Sequence, residues 1–189
     1  MSKPIVMRTR LQHGFTLVEL LIVVIILAIL AAIVIPQFSS ATTDTKEAAL
    51  DSNLGGLRNA VELYKAQHTT YPGGVATTGG SCAATKGTGA INSAQAYIDH
   101  LLMYSDASGN TCSVGDATTF KYGPYIRKGV PHDAITGKGG IAAEIVVTTT
   151  GAPIAPAAAT GGWAVDTKSG QVVMNSNATD SKSVAYSTH

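Results

Sequence analysis

Residues 17–35 form an apolar run interrupted by a single charged side chain, Glu19, and closed by Pro36. About 20 consecutive apolar residues match the hydrocarbon thickness of a bilayer, so this run belongs in lipid or in a bundle of similar helices. A charged group at the centre of a membrane helix costs about 2.5–3.5 kcal/mol on insertion scales, which makes an acid inside such a run a candidate functional group. A glutamate reaching toward the headgroups is the plainer alternative. Ahead of the run stand Lys3, Arg8 and Arg10, then Gly14. Basic residues flanking a span stay on the cytoplasmic side, so the remainder of the chain is expected outside the cytoplasm. A cut at Gly14 would leave the apolar run on the mature protein.

Helical signals continue past the run. Leu50, Leu54, Leu57, Val61 and Tyr64 recur at spacings of four, three, four and three, the stripe of an amphipathic helix. Asp44, Lys46, Glu47, Asp51, Arg58, Glu62 and Lys65 fall mostly off that stripe. The pattern predicts one helix from about Phe15 to about His68, some 80 Å long at about 1.5 Å per residue. Its first half is apolar all round, whereas its second half has one greasy face that needs a sheet to cover it. Pro36 lacks a donor and crowds the preceding turn, so a kink is expected there, with a bend or local melting when subunits stack as its possible use. Gly55 and Gly56 form a second soft spot.

The remainder reads as short elements joined by small-residue loops. Residues 69–91 are such a loop, with Cys82 in it. Residues 92–103 read as a short helix capped by Asn92 or Ser93, with Ala94, Ile98, Leu101 and Leu102 inward. Residues 141–149, 163–166 and 171–174 read as strands, with Val146 and Val147 central to the first. The last two are joined by Thr-Lys-Ser-Gly, a hairpin connection with glycine where positive φ is expected. The fold class is therefore α+β, a long N-terminal helix on a small antiparallel sheet.

Composition narrows the function. Charged residues make up 13% of the chain, about half the usual share for a soluble domain. Removing Lys3, Arg8 and Arg10 from 13 basic residues leaves ten, against 12 acidic ones. That balance argues against nucleic-acid binding, which normally shows a basic excess. Cys82 and Cys112 are the two cysteines. An exported domain meets an oxidising compartment, so a disulfide is the expected reading and two buried thiols the alternative.

The segment Gly14-Phe15-Thr16-Leu17-Val18-Glu19, with its apolar run and Pro36, resembles the class III signal of type IV prepilins and type II secretion pseudopilins. The resemblance implies a pilin-like fold and cleavage between Gly14 and Phe15 by a prepilin peptidase, which also methylates the new Phe15 amine. It divides the chain into a leader (1–14), a transmembrane and assembly half-helix (15–38) and a globular domain outside the cytoplasm (39–189). A free amine at Phe15 lies one helical turn from Glu19, so a neighbouring copy could pair its amine with this carboxylate. Weaker similarities to pseudopilins follow in Leu63-Tyr64-Lys65 with Tyr71-Pro72, Gly123-Pro124-Tyr125 with Val130-Pro131, and Gly162-Trp163 ahead of residues 167–170. The cysteine pair sits mid-chain, whereas many type IV pilus subunits carry theirs near the carboxyl end.

The expected function is that of a structural subunit. It waits in the bacterial inner membrane as a single-pass protein and is stacked with copies of itself and related pilins by inner-membrane assembly machinery. The product is a cell-surface pilus or a periplasmic pseudopilus. A minor tip subunit or adhesin that binds a ligand through its loops is the alternative, separable by stoichiometry in purified filaments. A conventional signal peptide cut near Ser39-Ser40-Ala41 is a third reading, which intact mass would decide. No enzyme is expected, since no nucleophile elbow, zinc-protease motif or phosphate loop occurs. No cofactor or metal is expected, although a turn at 166–170 could coordinate calcium. Lys121, Tyr122, Tyr125, Arg127, Lys128, His132 and Lys138 form a basic-aromatic stretch, either an anionic-polymer contact or a solvated loop around a core tyrosine.

Overall fold

A computed structural model describes residues 14–189, so the leader residues Lys3, Arg8 and Arg10, and His13, lie outside the described residues. The described chain forms α1 (Leu17–Gln67), α2 (Ala94–Leu102), β1 (Tyr104–Ser105), β2 (Thr111–Cys112), β3 (Ile145–Thr148), β4 (Trp163–Asp166) and β5 (Val172–Met174). Single 3-10 turns occupy Ala142–Glu144 and Tyr186–Thr188. Two compact units result, one ending at Thr42 and the other covering Thr43–His189.

In the second unit the helical stripe finds its cover. Leu50, Leu54, Leu57, Val61 and Tyr64 are all buried, and the first four join one cluster with Trp163, Val165, Val172 and Met174 of the sheet. Burying a leucine or valine fully is worth about 1.5–3 kcal/mol, so this stripe is the main attachment of the back half of α1. Two polar residues also face inward. Glu47 is buried and accepts from Ser181 N at 2.8 Å and Ser181 Oγ at 2.7 Å. Arg58 donates to the carbonyls of Val172 and His189.

The expected helix at 92–103 is α2, and Ser93 caps it: Ala96 N donates to Ser93 Oγ at 3.1 Å. Its buried face is Ala96, Tyr97, Asp99, His100 and Leu101. Ala94, Ile98 and Leu102 pack at the edge of the core instead. The face is shifted because two polar side chains are used inward. Asp99 Oδ2 accepts from Thr77 Oγ1, Thr88 N and Gly89 N, tying the preceding loop to the helix. His100 Nδ1 accepts from Gly73 N at 2.8 Å, which leaves the proton on Nε2 to donate to Gly109 O at 2.9 Å. Burial lowers the pKa of His100 to about 4. Its unfolded value is near 6.5, so the unfolded chain binds the extra proton first as pH falls. The stability contributed by neutral His100 is whole above pH 6.5 and declines toward pH 4. Melting curves of the purified chain across that interval should show the decline.

The α+β class stands, with the long helix over small sheets. Antiparallel pairing holds for β1 with β2 and for β4 with β5, but β3 runs parallel to β4, with Ile145 opposite Trp163 and Thr148 opposite Asp166. The connection over residues 149–162 is long enough for the crossover that parallel pairing requires. β4 is thus central and buried along its whole length. The β4–β5 connection is the tight turn expected. Gly170 has φ +74°, and a Cβ there would stand 2.2 Å from the Tyr71 ring, so glycine is required on both counts.

Cys82 and Cys112 are bonded, with their Cα atoms 5.6 Å apart. The link ties the 69–91 loop to β2. Replacing both by serine should cost about 3–4 kcal/mol on the chain-entropy model, read from a denaturant midpoint.

Pseudopilin-like motif segments meet one another in pairs. Tyr125 lies edge-on to Tyr64 at 5.4 Å, Trp163 Nε1 donates to Pro131 O at 2.8 Å, and Tyr71 packs on Gly170.

Candidate assembly site

The start of α1 is a capping box. Thr16 stands before the first helical residue, and Glu19 N donates to its Oγ1 at 3.2 Å. In return Glu19 Oε2 accepts from Thr16 N and from Thr16 Oγ1, both at 2.9 Å. Two otherwise orphaned backbone donors are satisfied reciprocally, and the negative charge lies at the positive end of the helix dipole. Sequence reasoning singled out Glu19 and missed Thr16. The Thr-x-x-Glu spacing at 16–19 would have revealed it.

From this cap the helix presents apolar side chains on every side. Each large apolar residue from Leu17 to Ile35 is at least 42% exposed. Phe15, ahead of the helix, is 87% exposed. Among the described residues this is one helix long and apolar enough to cross a membrane. Pro36 lies within the bounds of α1. Exposed hydrocarbon of this extent marks an interaction or membrane surface rather than a solvent-facing helix.

A model of the prokaryotic N-terminal methylation motif matches residues 9–35. The chain carries the amino-terminal signature of type IV pilins and type II secretion pseudopilins. Type II secretion system core protein G of Pseudomonas aeruginosa is 39% identical over 66 residues, which are 35% of this chain and 46% of that protein. Its counterpart in Aeromonas hydrophila is 36% identical over the same length and shares. The type IV major fimbrial protein FimA of Dichelobacter nodosus is 48% identical over 52 residues, 28% of this chain and 33% of that protein. The chain thus spans less than half the length of these relatives. No solved structure matches.

Other candidate features of this pilin-like chain resolve as structural supports. Asp166, at the turn considered for calcium, has both oxygens engaged. Oδ1 accepts from Lys168 N, Ser169 N and Ser169 Oγ, and Oδ2 accepts from Thr148 Oγ1, Thr150 N and Gly151 N. It is a clamp that joins β3, the 149–162 connection and the β4–β5 turn. In the basic-aromatic stretch the tyrosines face inward. Tyr125 donates from its hydroxyl to Gln67 Oε1 at 2.7 Å, and Tyr122 lies edge-on to His68 at 5.1 Å. Arg127, Lys128, His132 and Lys138 are exposed. The stretch is therefore a solvated loop around half-buried, packed tyrosines.

Proposed function

We propose that this chain is a structural subunit that polymerises into a helical filament, a type IV pilus or a short periplasmic pseudopilus. The leader is cut between Gly14 and Phe15 by a prepilin peptidase, and the Phe15 amine is methylated. Residues 15–38 then hold the subunit in the inner membrane, with residues 39–189 outside the cytoplasm. Membrane assembly machinery extracts the half-helix and packs it among copies of itself and related pilins. Polymerisation, not turnover of a substrate, is the activity. Pro36 gives the half-helix a point at which to bend as subunits stack.

The observation that carries this reading is the apolar stretch of α1, uncovered on every side and headed by one capped carboxylate within the methylation motif. Such a surface is stable in lipid, and equally in a bundle of identical helices that buries it again. In that bundle the Phe15 amine of one copy meets Glu19 of the next. Both charges are lost from water, and each needs the other.

Intact mass and microscopy test the reading together. The mature chain should begin at a methylated Phe15, and producing cells should bear filaments that cells lacking the chain do not. A mature chain without its apolar segment, or one that never polymerises alone or with related subunits, would overturn it.

A further inference from the structure

We propose that a cavity on the globular unit seats the next copy of this chain, and that Asp51 of that copy enters it; this rests on the filament reading above. The cavity, about 380 Å3, lies between α1 and residues 125–131 and is lined by Gly56, Leu57, Tyr125, Ile126, Arg127 and Lys128 among others. Its two cations are exposed, and among the described residues neither has an ion pair. A Cβ built on Gly55 or Gly56 would meet nothing within 4 Å, so α1 offers bare backbone here. Two glycines inside a helix cost about 1 kcal/mol each against alanine, and close approach of a partner is the usual packing reason for tolerating them.

Charge names the occupant. On a separate patch of the same unit Asp44, Glu47, Asp51 and Asp180 line a second cavity, where they outnumber Lys182 and His189. Asp44 and Asp51 are its exposed members, and Asp51 is the one held in place. Its side chain is 58% exposed, and His189 Nδ1 donates to its Oδ1 at 2.7 Å, holding it in place. An acidic knob and a basic, partly apolar cavity on different faces make a heterologous contact. Such a contact repeats without closing and builds a helical polymer.

The test uses the full chain in cells that assemble it. Arg127→Glu with Lys128→Glu should lower filament yield about tenfold or more, as should Asp51→Lys alone, while the triple variant regains most of the yield. Chain level in the membrane fraction checks that each variant folds. In a second arm, Asp51→Cys chains and Lys128→Cys chains are incorporated together among wild-type carriers. Oxidised filaments should then yield a cross-linked dimer that neither variant gives alone; Cys82 and Cys112 are already bonded to each other and do not compete. Wild-type yield from the double reversal, or mixed filaments without the dimer, overturns the docking and leaves the filament reading intact. Absence of filaments from the wild-type chain overturns both.

Discussion

Cells whose only copy of this chain carries Glu19→Ala should process it normally and display no filaments. Two effects of the substitution differ in size. Loss of the capping box with Thr16 costs about 1 kcal/mol of helix stability, at a helix end already sustained by its surroundings. On the proposed pairing, loss of the carboxylate strands a neighbour's Phe15 amine in an apolar bundle, a defect of about 3–5 kcal/mol at every subunit contact. The second dominates, because it recurs with each copy added and because about 1.4 kcal/mol is already tenfold in an equilibrium constant. Glu19→Gln separates the two effects. Glutamine keeps an acceptor for Thr16 but carries no charge, so it should restore the cap and not the filament. Filament counts by microscopy, with intact mass to confirm cleavage, give the readout. Normal filaments in the alanine variant would remove the ion pair from the account.

Asp166→Ala should be the most damaging single substitution in the globular unit. Burial pushes the Asp166 carboxyl upward, but hydrogen bonds from Ser169 N, Gly151 N, Thr148 Oγ1 and Lys168 N outweigh it and hold the group well below the usual carboxylate range. Removing the acceptor leaves the amides of Thr150, Gly151, Lys168 and Ser169 without their partner at once. Each orphaned donor costs about 1–3 kcal/mol, less where water can enter, so a total of about 3 kcal/mol or more is expected. For a unit of this size the melting midpoint should fall by about 10 °C. The sign of the pH dependence follows. A folded pKa below the unfolded one gives stability that is full above about pH 4 and is lost as pH falls further. Wild type and Asp166→Ala should therefore converge in strong acid. A variant that melts with the wild type at neutral pH would show that the clamp is dispensable.

Much of the molecule was legible because it is periodic. The apolar run and the stripe from Leu50 to Tyr64 announce α1 by spacing alone, and the Thr-Lys-Ser-Gly turn announces β4 and β5. The cap at Ser93 was readable as a local hydrogen bond. What escaped depends on partners distant in sequence. Glu47 looks like a solvated charge until Ser181 is placed against it. Asp133 and Asp166 look like ordinary turn residues and Asp99 like a polar position on a short helix, yet each is buried and gathers amide donors. The direction of β3 escaped for a related reason. A four-residue strand carries no mark of its partner's polarity, and the connection that permits a parallel return has no periodicity.

At the assembly site the acid was legible and its cap was not, because the greasy residues between Thr16 and Glu19 drew attention to lipid instead of to helix termination.

Three interior aspartates, each gripping amides of the loops around it, leave this domain stiff where a circular dichroism spectrum would score it as irregular. Asp133 alone receives the amides of Ile135, Thr136 and Gly162. Hydrogen exchange at such positions is governed by the opening of a side-chain hub, not by the fraying of a ladder. Residues between the hubs are then free to vary in kind without loosening the frame, which gives the outer surface of the domain room to diversify while its interior keeps one shape.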